Sequence, residues 1–360
     1  MKPALSLPAW TLASPLLGWL LLFATRFSLG SWFYAVLVLG LLGSVVAAVH
    51  HAEVIAHRVG EPLGTLLLAV AVTTIEVALI VSMMVSAPET SAALARDTVF
   101  AAVMIILNGI VGLCLLLGGS RYREQIFHQQ GVNAALTTLA AIVILTLVLP
   151  NYTETVEGPY YSASQLAFIA VVSVVLYGTF VLVQTVRHRD YFLVPDAPGE
   201  HAAHAAPPTN RVTALSSLML VVALGAVVLL AKALAPALEA GVQQIGAPPA
   251  LVGVIIALFV LLPEGIAAVQ AARHNRLQVS LNLALGSALA SIALTIPVVA
   301  LVCLVQGWPL ALGIDAKSTV LVVLSLTIAT LAFGTGRTTI MQGAVHLVIF
   351  AVYLFVSVVP

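Results

Sequence analysis

Charge is what this chain has least of. Asp, Glu, Lys and Arg make up 8% of its 360 residues, and they cancel, 14 basic against 14 acidic. A soluble domain carries roughly 25% charged residues, so this composition does not clothe a water-facing surface. Binding nucleic acid needs a surplus of Lys and Arg to displace counterions from phosphates, and none exists, so a nucleic-acid partner is excluded. Cysteine is nearly missing as well: Cys114 and Cys303 are the whole supply. Both fall inside apolar runs, where they read as small packing residues rather than as a disulfide or a thiolate metal site. Long hydrophilic stretches are also scarce, the main one being RHRDYFLVPDAPGEHAAHAAPPTNR at roughly 187–211.

What remains is hydrocarbon. Hydrophobic residues make up 61% of the chain, and about 20 consecutive apolar residues cross a bilayer core as a helix. Apolar windows broken by charge and by Gly/Pro clusters predict eleven helices, at 9–28, 32–50, 63–86, 97–118, 133–150, 163–186, 212–236, 249–272, 279–304, 317–334 and 339–359. The first run, from Pro8 to Phe27, has no small-x-small cleavage site and leads straight into another span, so it reads as a retained helix. The expected fold class is therefore an all-α polytopic membrane protein, with the lipid bilayer as its first partner. With the N-terminus inside, ten basic residues (Lys2, Arg58, Arg121, Arg123, Arg187, Arg189, Arg211, Arg273, Arg276, Arg337) face the cytoplasm. Four (Arg26, Arg96, Lys232, Lys317) face outward. That bias predicts a cytoplasmic N-terminus and an outer C-terminus, in what would be a bacterial inner (plasma) membrane.

Two acids break the pattern. Glu76 lies in LGTLLLAVAVTTIEVALIVSMM and Glu264 in LVGVIIALFVLLPEGIAAVQAA, each deep within a span. An ionisable group at that depth costs at least ~2.5–3.5 kcal/mol on the insertion scale, so it marks function by default. The two helices have opposite orientation. Each is followed by a helix with a polar break, ILNGIVGL around Asn108 and Gly109, and LNLALGSALAS around Gly286 and Ser287. The order suggests two inverted five-helix repeats, the arrangement in which secondary transporters place an ion site at the bilayer midplane. On that reading residues 1–31 are an additional N-terminal helix, 32–186 the first repeat, 187–211 a cytoplasmic linker and 212–360 the second repeat.

The groups gathered around the acids are hard oxygen donors, suited to Ca²⁺, Na⁺ or K⁺ rather than to soft metals. Glu76 and Glu264 are the expected metal ligands and proton carriers. Thr73 shares the Glu76 face one turn earlier. Asn108 adds an amide, and Ser287 and Ser291 belong to a stripe with Ser280 and Thr295; each hydroxyl could equally bond back to its own helix. Pro263, Gly109 and Gly286 are the expected helix breaks, Pro263 freeing a carbonyl one turn earlier. Two ionised carboxylates in a dry site are tolerated when they hold one Ca²⁺ or protons, and not when bare. If only neutralised states can occlude, cation and protons must alternate. No cofactor is called for, and an enzyme is not: His51, Glu53 and His57 spell H-A-E-x-x-x-H, the wrong order for a zinc helix, and read with Arg58 and Glu61 as a solvated turn. A pH or metal sensor on His188, His201 and His204 is the sharper reading of the linker, a flexible tether the plainer one. His346 reads as a packed core residue.

Several segments resemble a known group: RVGEPLGTLLLAVAVTTIEVALI (58–80), ARDTVFAAVMIILNGIVGLCLLLGG (95–119), LLPEGIAAVQAA (261–272), SLNLALGSALASIALTIPVV (280–299) and GRTTIMQGAVHL (336–347). They are similar to the ChaA-type bacterial cation/proton antiporters of the cation/Ca²⁺ exchanger superfamily, along nearly the whole chain. The resemblance implies Ca²⁺/H⁺ antiport with Na⁺/H⁺ exchange alongside and K⁺/H⁺ as a further option. It also implies a sodium/calcium exchanger fold of eleven helices with an extra first one, and one essential glutamate per repeat, at Glu76 and Glu264. A Na⁺/Ca²⁺ exchanger of the same fold is the alternative, and a cation channel a more distant one. The strongly acidic central helix common in the superfamily is missing here, where Asp190, Asp196 and Glu200 are the only acids of the linker.

Overall fold

The computed structural model describes residues 7–27, 30–60, 63–86, 91–193 and 208–359, leaving aside the side chains of 63–69 and 86. His201 and His204 lie outside the described residues, and with them any test of a histidine sensor.

Helices account for nearly everything. In order they are α1 (Ala9–Ala24), α2 (Trp32–Val59), α3 (Leu63–Ser86), α4 (Leu94–Met104), α5 (Val111–Tyr122), α6 (Gln129–Val143), α7 (Ala163–Leu182), α8 (Asn210–Gln244), α9 (Ala250–Arg273), α10 (Leu277–Gln306), α11 (Ala316–Phe333) and α12 (Ile340–Val358). A π-helical segment, Ile105–Ile110, joins α4 to α5, so the two form one rod. Among the described residues nine rods are long and apolar enough to cross a membrane. Two shorter apolar stretches, Ala9–Ala24 and Val70–Val85, fall where the sequence predicts the first and third spans. Side chains of the α7 stripe Phe168, Val171, Val175 and Leu182 are exposed while Ser173 is buried. That inversion of the water-soluble pattern suits a lipid-facing rod.

Helix ends follow local chemistry. Ser162 and Thr339 each form a capping box with the Gln three residues on, and Asp315 caps α11, answering amide donors that the first turn leaves open. Two boundaries lie well beyond expectation. α2 runs on to Val59, so His51 is a fully buried helical residue whose Nε2 lies 3.1 Å from the carbonyl of Thr11, rather than part of a solvated turn. Glu53, His57 and Arg58 on the same stretch are exposed. Packing against α1 lets the helix continue through polar sequence. α8 likewise passes through Pro236 to Gln244.

The chain divides into two compact units, neither of which is a half of the sequence. The first comprises Met1–Ser86 and Pro198–Ile245 and contains α1, α2, α3 and α8. The indole of Trp19 donates to the carbonyl of Val222 at 3.0 Å, and Arg58 donates to the Pro208 carbonyl at 3.2 Å. The second comprises Ala87–Ala197 and Gly246–Pro360. Here α9 runs parallel to the α4–α5 rod in close contact. A Cβ on Gly253 would sit 2.8 Å from the Asp97 backbone and one on Gly265 3.2 Å from Ile110, and Tyr122 donates to the Arg273 carbonyl at 3.0 Å. α12 runs antiparallel to the same rod along a glycine seam. Added Cβ atoms at Gly112, Gly119 and Gly343 would meet Leu347, Ile340 and Leu116 backbone atoms at 3.1, 2.6 and 2.4 Å. A short ribbon, β1 (Gln125–Ile126) with β2 (Arg337–Thr338), ties the ends of α5 and α12.

Candidate functional site

In the first unit, α3 turns one face inward. Thr73, Glu76, Ile80 and Met83 follow helical spacing and are all buried, Glu76 to 3% exposure, while Thr74 is exposed and bonds back to Val70 at 2.7 Å. The apolar flanks force the stretch to be a helix, and the period of 3.6 sets Thr73 and Glu76 side by side.

In the second unit, α9, α10, α11 and α12 meet around the π turn. Ile105–Ile110 is wound with one extra residue, the amide of Val111 reaching back five residues to the Ile106 carbonyl. Such insertions loosen the ladder and recur at functional positions. The turn buries Asn108 completely. α9 lies on this turn through Gly265, the residue after Glu264, because a glycine lets its backbone approach Ile110. Glu264 itself is half-buried, with both carboxylate oxygens sealed from solvent. Further along, Ile110 packs with Cys114, Ala268, Ala272, Val269 and Leu283 in an apolar cluster joining α5, α9 and α10.

Asn108 is held at both ends of its amide. Its Nδ2 donates to Ser325 Oγ on α11 at 2.8 Å, and its Oδ1 lies 3.2 Å from His346 Nδ1 on α12. Ser325 donates to the Leu321 carbonyl at 2.7 Å. Neither Ser325 nor a role for His346 beyond packing follows from the sequence. The signal the sequence does offer is a serine set inside an apolar span.

α10 differs from expectation. Ser291 is buried and Ser287 half-buried, one turn apart, but the helix runs from Leu277 to Gln306 with no interruption at Gly286. A helical glycine costs only about 1 kcal/mol relative to alanine, which packing overrides. Gly286 instead opens onto a cleft that it lines with Gly131, Phe180, Phe192 and Asn282. Pro263 also sits inside an unbroken helix, α9. Gly109 alone coincides with an irregularity, the π turn, and faces Phe350.

Long apolar rods that carry acids, an amide and hydroxyls within their length describe a polytopic membrane protein. The chain belongs to the sodium/calcium exchanger protein family, whose model matches residues 6–186 and 215–359. It is 51% identical over 358 residues to y4hA of Sinorhizobium fredii, described as a candidate ionic transporter, covering 98% of this chain and 97% of that one. It is 36% identical over 319 residues to the sodium-potassium/proton antiporter ChaA of Escherichia coli, covering 88% and 86%. The fold matches native YfkE, which a second solved structure names a Ca²⁺/H⁺ antiporter, with TM-score 0.72 and 17% identity over 98% of this chain and 99% of that one. The expected exchanger fold and family are thereby shown.

Proposed function

We propose that the protein is a secondary antiporter that exchanges a hard cation for protons by alternating access, with Glu76 and Glu264 carrying both. The observation that supports this most directly is Glu76, an acid with 3% exposure on a helix with no other charged residue. A buried carboxylate is stable only when a proton or a cation answers its charge. Glu264 supplies the second negative charge on α9, beside the π turn that holds Asn108. Together the two acids accept one Ca²⁺ or two protons at equal charge, or one Na⁺ or K⁺ with one proton kept. Exchange follows, since only neutralised forms can leave water. Thr73, Asn108, Ser287 and Ser291 complete the oxygen set.

The 36% identity to a sodium-potassium/proton antiporter supports the monovalent cations; the hard-donor set and the family support Ca²⁺. No cofactor enters this cycle, and the ions are cargo. Residues 1–31 read as the additional helix, 32–186 and 212–360 as inverted repeats and 187–211 as their linker, with the N-terminus cytoplasmic in a bacterial inner membrane. Everted vesicles with a fluorescent pH-gradient probe test the proposal. Ca²⁺, Na⁺ or K⁺ added separately should dissipate the gradient, and Glu76→Gln or Glu264→Gln should abolish the response. Full exchange in either variant would overturn the reading. The description of the family as sodium/calcium exchangers favours one second reading: Na⁺-driven Ca²⁺ uptake without any pH gradient would establish it.

A further inference from the structure

The amide of Asn108 is not free to choose its orientation, and the group that chooses it is a histidine. Ser325 has one hydroxyl hydrogen, committed to the Leu321 carbonyl at 2.7 Å. Its oxygen therefore accepts from Asn108 Nδ2, at 2.8 Å. That assigns Oδ1 to the His346 side, and the 3.2 Å contact to Nδ1 requires the ring proton on Nδ1. Nε2 is left as a lone pair, buried and without a hydrogen-bond partner among the described residues. Phe333 stacks over the ring, centroids 6.4 Å apart, and His346 is fully buried. Moving the proton to Nε2 would orphan a donor there and set two lone pairs, Nδ1 and Oδ1, against each other. The neutral Nδ1–H tautomer is thus fixed by its surroundings.

We infer that His346 is a positioning residue of the cation site: its Nδ1–H holds Asn108 so that one lone pair of Oδ1 is anchored and the other is presented to the cation. The inference rests on the reading of Asn108 as a cation ligand given above. Two further features make the arrangement specific. Gly112 lets α12 approach until a Cβ there would be 3.0 Å from His346 Cβ. The π turn gives Asn108 an azimuth that a regular helix through Ile105–Ile110 would not. A neutral donor behind a ligand oxygen does for the amide what a carboxylate does for a metal-bound imidazole: it orients the ligand, and its loss typically weakens metal binding.

The experiment is cation-dependent dissipation of a pH gradient in everted vesicles, read as KM and maximal rate. His346→Asn places an amide nitrogen where Nδ1 stood, whereas His346→Gln places it near Nε2, and the two differ little in bulk. We expect His346→Gln and His346→Leu to raise KM for the cation about tenfold, the low end of the loss seen on removing such a partner, with the maximal rate nearly unchanged. His346→Asn should stay close to the parent. In an Asn108→Ala background, His346→Leu should add nothing, because the two residues act as one unit. Equal impairment of the Asn and Gln variants, or a parental KM in His346→Leu alongside a raised one in Asn108→Ala, removes the positioning role alone. A parental KM in Asn108→Ala removes the underlying site, and this inference with it. Yield and thermal stability of each variant in detergent separate misfolding from lost affinity.

Discussion

Two rods hold the same place in the two halves of the sequence, each following a helix with a membrane-depth acid, yet their backbones differ. The rod carrying Asn108 is interrupted by a π turn and pressed on one side by α9 and on the other by α12, through glycines whose replacement would collide with backbone atoms. α10, carrying Ser287 and Ser291, is a continuous helix of 30 residues, and a Cβ on its Gly286 would meet nothing within 4 Å. A repeat in order is therefore not a repeat in geometry. One rod buys a fixed amide with a distorted backbone and tight neighbours. The other presents hydroxyls from a regular helix and leaves its glycine beside a cleft.

The contrast can be broken in descending steps. The largest effect is expected at the acid packed beside the distorted rod: Glu264→Gln should reduce cation-driven pH-gradient dissipation to that of vesicles lacking the protein, with normal expression. Next comes Gly343→Ala, whose Cβ would lie 2.4 Å from the amide nitrogen of Leu116. Because backbone cannot yield as a side-chain tip can, we expect destabilisation of about 1–3 kcal/mol, measured as a lowered melting temperature in detergent. Asn108→Ala should raise KM for the cation about tenfold while leaving the melting temperature nearer the parent than Gly343→Ala does. The smallest effect belongs to the regular rod. Gly286→Ala should be neutral or stabilising by up to about 1 kcal/mol, with transport intact. Lost transport in that variant would mean that the glycine serves the cycle after all, and the comparison would fail on that side.

Much of the architecture is legible in the sequence. Spans at 163–186, 249–272 and 317–334 correspond to Ala163–Arg187, Ala250–Arg273 and Ala316–Phe333, because the boundary between apolar and polar sequence is also the boundary between lipid and water. Structure and sequence part where a local signal competes with packing. His51 and its neighbours suggest a solvated turn, but α1 buries His51 and the helix continues. Pro236 suggests a stop, yet α8 accommodates it. At the site, the polarity of Asn108, Ser291 and the two acids was visible, since each stands out in a hydrocarbon run. Its partnership was not. Nothing in the spacing says that Ser325 and His346, 217 and 238 residues away, close on the Asn108 amide, because that pairing depends on which helices become neighbours. The π turn was equally hidden: the Asn-Gly pair signals weakness in the helix, not the form the weakness takes.

The glycine seam between α5 and α12 has a mechanical consequence. Neighbouring rods shift along each other when the side chains separating them can exchange rotamers, and here backbone lies against backbone at Gly112, Gly119 and Gly343, with a ribbon stitching the ends. Sliding would drive peptide groups into one another. In the alternating-access cycle proposed above, these two rods should therefore move as a single strut, and a covalent staple between them should leave turnover unharmed.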